Sequence, residues 1–166
     1  MNSQGRFPLL KTMLRVSDVL ALEYSAVYDE NGHVKHDATI HDKKTGKINT
    51  LRLYLAEDEL NKYHEWLVDQ GITSKYLFPS SQDTSKHISE KTYYKVMHTM
   101  GDLLGMDNLG THSMRKTGAY RLYEANGHEI APVMHMLNHS SEQMTLAYLG
   151  LDEQTMDEKL NRVNWG

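Results

Sequence analysis

His112 and Arg115 stand three residues apart in Thr111-His112-Ser113-Met114-Arg115, and His139 and Tyr148 follow within the stretch 111–150. Two imidazoles, a guanidinium and a phenol suit one substrate in particular, a phosphodiester. Its non-bridging negative charge grows in a pentacoordinate transition state. A planar guanidinium matches that geometry with paired N–H donors, and imidazoles add donors or exchange protons. A tyrosine hydroxyl ionises only near pH 10 in water, so as a nucleophile it needs positive charge around it. The departing alkoxide needs an acid, a task within reach of a lysine. His135 and His139 offer a competing reading, because four residues is the spacing of a zinc-protease helix. The glutamate that such a motif requires is Met136 here, cysteine is absent, and no third ligand presents itself. No metal site is therefore expected from this pair.

These groups must be carried by elements that the sequence also suggests. Leu9, Met13, Val16 and Leu20 recur at helical spacing after Pro8, so residues 9–22 read as a buried helix. Arg15 falls among them, either snorkelling at the rim or buried against an anion, for which Asp18 is near in sequence. Val34, His36, Ala38 and Ile40 alternate with polar residues, and Ile48 to Tyr54 forms a second strand-like run. Lys43-Lys44-Thr45-Gly46-Lys47 between them makes a hairpin with a basic tip. Residues 56–70 form an amphipathic helix with Leu60, Tyr63, His64 and Leu67 on one face, closed by Gly71. Ser89 caps a helix running to Leu104 before Gly105, with Tyr93, Val96, Met97 and Met100 as its apolar side. Lys91, Thr92, Tyr94 and Lys95 crowd its start, as a solvated face or as a DNA-contacting one. Thr111 caps a helix to Asn126-Gly127. Two short helices follow, the second capped by Ser140 or Ser141 and carrying Tyr148. An acidic helix from Glu153 to Val163 turns Met156, Leu160 and Val163 inward. The class is mixed α+β, mainly α: a helical bundle with a small antiparallel sheet.

With 166 residues, 39% apolar and 24% charged, the chain has the composition of a globular domain and contains no membrane-length apolar run. Zero cysteines exclude disulfides and fit a cytoplasmic location. A net charge of −4 runs against nucleic-acid binding, although what matters is the charge of one face. Acidic residues concentrate in 57–65 and 152–158. Basic ones gather at Lys43, Lys44, Lys47 and Arg52, at Lys86, Lys91 and Lys95, and at Arg115, Lys116 and Arg121.

Taken in order, these segments resemble the catalytic domain of the tyrosine recombinases, the phage-integrase family of DNA breaking and joining enzymes. Leu14-Arg15-Val16-Ser17-Asp18 is similar to the segment of the family's first arginine. Lys43-Lys44-Thr45-Gly46-Lys47 resembles the hairpin of its catalytic lysine, with Lys44 as the best match. His112 and Arg115 fit its His-x-x-Arg box, Leu137-Asn138-His139-Ser140 its Leu-Gly-His-Ser segment, and Thr145-Leu146-Ala147-Tyr148-Leu149 its nucleophile segment. Two of the departures are Met13 and Asn138, which stand where the family usually has glycine. Asn shares glycine's tolerance of the left-handed region, whereas Met does not.

The resemblance implies an integrase-core-like fold and a mechanism without metal or nucleotide cofactor. In it Tyr148 attacks the scissile phosphate and leaves a 3′-phosphotyrosyl DNA. Arg15, Arg115 and His139 hold the phosphate, His112 assists proton movement at the tyrosine, and Lys44 protonates the 5′ oxygen. Lys47, Ser89, Lys91, Thr92, Tyr94 and Lys95 contact DNA. On this resemblance the whole chain, 1–166, is one catalytic domain with a tail helix over about 152–163. The family's preceding DNA-clamping domain is expected to be missing, so the domain alone is expected to be weakly active or inactive. The expected partners are a double-stranded recombination site and, through the tail, further copies of the chain on DNA, which would leave Met156, Leu160 and Val163 exposed in an isolated copy unless the tail folds back in cis. Two rival readings are a DNA-binding module without chemistry and a type IB topoisomerase-like enzyme. In every case Arg15 and Lys44 must fold onto the stretch 111–150.

Overall fold

The computed structural model describes residues 12–106, 109–110 and 112–164. They form two compact units, one ending at Arg115 and the other beginning at Lys116. The first contains α1 (Val16–Leu20), α2 (Tyr24–Val27), β1 (Asp37–His41), β2 (Ile48–Arg52), α3 (Glu57–Asp69) and α4 (Glu90–Leu104). The chain passes between the units within α5 (Ser113–Ala125). The second unit continues with α6 (Ile130–Leu137), α7 (Glu142–Leu149) and α8 (Glu153–Leu160). Two antiparallel strands among helices make the predicted mainly helical α+β class.

The helix expected over 9–22 is much shorter within the described residues. Met13 takes φ +52°, a left-handed conformation that cannot continue an α-helix, and Arg15 is extended at the N-cap of α1. Residues 9–11 and the apolar position Leu9 lie outside the described residues. Five residues form too short a helix to stand alone, and tertiary packing holds this one from two sides. Val19 joins a core with Leu14, Leu22, Val27, Tyr28, Leu51, Leu53, Leu60 and Leu77. The next residue, Leu20, joins a separate cluster with Tyr93 and Met97 of α4, flanked by Val16, Ile88, Leu109 and Met114.

The hairpin forms where the alternation placed it, but its strands are shorter than 34–40 and 48–54. Ala38 pairs with Leu51, and both side chains are buried; Thr39 pairs with Thr50 on the outer face. Beyond Arg52 the chain turns into a 3₁₀ segment, Leu53–Ala56, that leads directly into α3. Leu60 and Leu67 of α3 are buried, Tyr63 donates its hydroxyl to the Leu77 carbonyl at 2.9 Å, and Gly71 closes the helix at φ +63°.

Helix α4 starts and stops at the predicted residues. The Ser89 hydroxyl accepts from Thr92 N–H at 3.1 Å, and Gly105 is left-handed at the C-cap. Its apolar side differs at one position: Tyr93 and Met97 are buried, but Val96 is 44% exposed. Gly101 lies on the inner face instead. There a Cβ would lie 2.9 Å from the Met106 carbonyl, so only glycine lets the chain return that closely.

In the second unit Ala119, Val133, Leu137, Thr145 and Leu149 are buried. Pro132 sits in the first turn of α6, where its missing N–H would have had no helical partner. Met156, Leu160 and Val163 are 44%, 45% and 48% exposed, which departs from an inward face and matches the alternative of a tail left open in an isolated copy. Amphipathic spacing gathers apolar residues on one side but does not specify what covers that side. No helix among the described residues is long and apolar enough to cross a membrane.

Candidate active site

Arg15, Lys44, His112 and Arg115 belong to the first unit, His139 and Tyr148 to the second. In the first, Arg15 does not pair with Asp18, as its proximity in sequence suggested. Its Nη1 donates to Oδ2 of Asp42, at the end of β1, whose side chain is 5% exposed. The other oxygen of Asp42 accepts the backbone N–H groups of Lys44 and Thr45, both at 2.9 Å. The Asp42 backbone closes the turn as well, donating to the Lys47 carbonyl and accepting from Gly46 N–H. Burial works to raise the Asp42 carboxyl pKa. The Thr45 and Lys44 N–H groups and the Arg15 guanidinium overcome that and hold it below the ordinary carboxylate range. Asp18, also buried, accepts the Lys43 N–H at 3.0 Å. Two buried carboxylates therefore grip the hairpin by consecutive backbone amides, while the Lys43, Lys44 and Lys47 side chains remain exposed.

Arg115 lies in the first turn of α5, 7% exposed, and its Nε donates to the Met13 carbonyl at 2.6 Å. Met13 is two residues before Arg15, so this bond ties the second arginine to the segment that carries the first. His112 is exposed just ahead of α5; its expected cap, Thr111, lies outside the described residues.

In the second unit, Asn138 ends α6 in the left-handed region at φ 56°, the conformation expected from its place in a glycine position. His139 follows, and Ser141 caps α7 by accepting Met144 N–H at 3.2 Å. His139 meets the ring of Tyr148, in the last turn of α7, edge-on with centroids 5.4 Å apart. Nδ1 of His139 lies 3.1 Å from the hydroxyl of Thr145, which is fully buried. That hydroxyl donates to the Ser141 carbonyl at 3.2 Å and so offers its lone pair to the imidazole. With the Thr145 proton committed to Ser141, the arrangement favours a proton on Nδ1 of His139. His135 is exposed in the last turn of α6.

Lys91, Thr92, Tyr94 and Lys95 are all exposed along one end of α4, with Ser89 at its cap. The Ser89 and Thr92 hydroxyls are 2.9 Å apart, so both side chains already serve the cap.

Sequence reasoning assigned no role to Asp42, Thr145 or the Met13 carbonyl. An acidic residue two positions before Lys44, at the base of a Gly-containing turn, was the available signal for Asp42. For Thr145 it was a hydroxyl three residues before Tyr148 on the same helix. Nothing in sequence marks a backbone carbonyl.

Guanidinium groups on buried supports, a lysine at a hairpin tip, and a phenol beside an imidazole are the parts of phosphoryl transfer to tyrosine. Comparison with known proteins identifies the family. Residues 8–155 match the phage integrase family, and the chain belongs to that family of tyrosine recombinases, whose members cleave DNA and exchange strands. It is 31% identical over 146 residues to a Bacillus subtilis (strain 168) protein named "probable integrase/recombinase YoeC", covering 88% of this chain and 75% of the relative. XerA recombinase shares the fold with TM-score 0.67 at 20% identity over 97% of this chain and 57% of its own. XerH recombinase bound to a palindromic difH substrate does so with TM-score 0.65 at 21% identity, over 98% and 47%. The chain thus spans about half of these solved recombinases.

Proposed function

We propose that the chain is the catalytic domain of a site-specific recombinase acting through a 3′-phosphotyrosyl intermediate. Tyr148 attacks the scissile phosphorus, forming the phosphotyrosyl bond as the bond to the 5′ oxygen breaks. His112 assists removal of the phenol proton, and Lys44 supplies a proton to the leaving oxygen. Arg15, Arg115 and His139 stabilise the charge on the non-bridging oxygens. The displaced 5′-hydroxyl, or that of another strand, reverses the step, so no metal or nucleotide cofactor is required. The observation that carries this reading is the edge-on pairing of Tyr148 with His139, one loop and one helix apart. Lys47, Lys91, Tyr94 and Lys95, with Ser89 and Thr92 at the helix start, contact the duplex. The exposed apolar residues of α8 and the chain end dock on a second copy assembled on DNA. The reaction belongs in the cytoplasm, where DNA is the substrate and a cysteine-free chain is at no disadvantage.

The test is covalent capture. A pool of nicked duplexes with a randomised core is incubated with the protein, and adducts that survive denaturation are collected and sequenced. One enriched core sequence is expected. With that duplex, Tyr148→Phe should bind as the parent does and form no adduct. An adduct persisting in Tyr148→Phe would overturn the assignment.

A further inference from the structure

We propose that Asp42 is a positioning residue that sets the general acid and the phosphate clamp in register. The inference rests on the roles proposed above for Arg15 and Lys44. One carboxylate addresses both: Oδ2 takes the Arg15 guanidinium, and Oδ1 takes the amides of Lys44 and Thr45. The backbone of Asp42 bonds to Gly46 and Lys47, so the turn that presents Lys44 is built on this residue from both its side chain and its main chain. Arg15 carries five N–H donors, and Asp42 engages it through Nη1, leaving further donors on the same plane to address a phosphate.

Burial makes the link stiff. Asp42 is 4% exposed, so neither partner is easily exchanged for water, and rotation of the carboxylate would break both attachments at once. Lys44 has a flexible four-carbon stem on an exposed tip, and such a group works as an acid only if its Cα is held at a fixed distance from the leaving oxygen. Arg15 fixes the phosphate, Asp42 fixes Arg15, and the same Asp42 fixes the Lys44 backbone. Asp18 adds a second hold, on Lys43, without contributing to the Arg15 link.

Two variants separate these attachments. Asp42→Asn retains an oxygen for the turn amides and removes the charge that holds Arg15. Asp42→Ala removes both. The substrates are the captured duplex with its ordinary 5′ oxygen at the scissile bond, and the same duplex with sulfur at that position. A thiolate leaves without a proton, so the sulfur substrate does not need the acid. Lys44→Ala should regain near-parent cleavage on sulfur; failure here would count against the role given to Lys44. Asp42→Asn should cleave both substrates more slowly, with a sulfur-to-oxygen ratio within about threefold of the parent. Asp42→Ala should show that ratio raised at least about tenfold. Amide hydrogen exchange on the DNA-free protein is the independent readout. Lys44 and Thr45 should lose protection in Asp42→Ala and keep it in Asp42→Asn, while α4 amides stay protected in both. Unchanged protection in Asp42→Ala, or a parent-like ratio, would overturn the proposal. A faster Asp42→Asn would also overturn it, by showing that the carboxylate competes with phosphate for Arg15.

Discussion

The carbonyl of Met13 accepts a 2.6 Å hydrogen bond from Nε of Arg115, and it does so from a residue held in the left-handed region at φ 52°. The two features are linked, because the turn at Met13 sets the direction of its carbonyl. A left-handed L-residue costs roughly 1–2 kcal/mol, and the buried Met side chain offsets that through packing. Met13→Ala should lose the packing and keep the strain, destabilising the chain by about 2–4 kcal/mol. Met13→Gly loses one carbon more but is relieved of strain. It should therefore be no less stable than Met13→Ala, and up to about 1 kcal/mol better. Urea unfolding of both variants checks the order; a glycine variant clearly weaker than the alanine variant would show that the conformation carries little strain.

Thr145 sits between Ser141 and His139 with its proton directed to the Ser141 carbonyl. Thr145→Val preserves the shape and removes the acceptor for Nδ1. The expected loss of stability is about 1 kcal/mol, with covalent capture slowed about tenfold through loss of imidazole orientation. Nitrogen-15 chemical shifts of His139 report the tautomer directly. A slow variant whose shifts match the parent would mean that Thr145 acts by packing alone.

Acid should weaken the Asp42 network. Its folded-state pKa lies below the unfolded value, so its contribution to stability is fully present above the unfolded pKa and is lost as pH falls through the folded one. The stability gap between the parent and Asp42→Asn should therefore be widest near neutrality and close as pH falls from the ordinary carboxylate range through the lower folded-state pKa. Paired urea titrations across that range measure it, and a gap that does not change with pH would rule out the carboxylate charge as its source.

How much of this was legible in sequence depended on whether the determinant was local. Ser89, Gly105 and the spacing of Tyr93 and Met97 define α4, and each acts within a turn or two of its own position. The hairpin was equally readable, because alternation and a Gly-containing turn are local signals. Arg15 was found by resemblance, but its partner was misjudged: Asp18 is near in sequence, whereas Asp42 is brought to it by the fold. Met13 was legible only as an oddity, since its value lies in a carbonyl aimed at a residue a hundred positions away. Val96, and the choice between an inward and an exposed tail, were illegible for a common reason. Helical period orders residues around an axis, and whether the apolar side meets a core is decided by other elements.

That exposed tail gives the last prediction. Met156, Leu160 and Val163 are each about half exposed, and apolar side chains grouped on one short helix and its end favour burial against a partner. Were the tail to dock on a second copy during assembly, Met156→Glu with Leu160→Glu would remove apolar burial worth about 3–6 kcal/mol per docked tail, without touching any residue that holds phosphate. The monomer should fold and unfold as the parent does, since these side chains contribute little to its own core. On the captured duplex, light scattering should find complexes of fewer protein copies. A double variant that assembles on DNA with unchanged mass would assign the tail's apolar side to something other than a neighbouring copy.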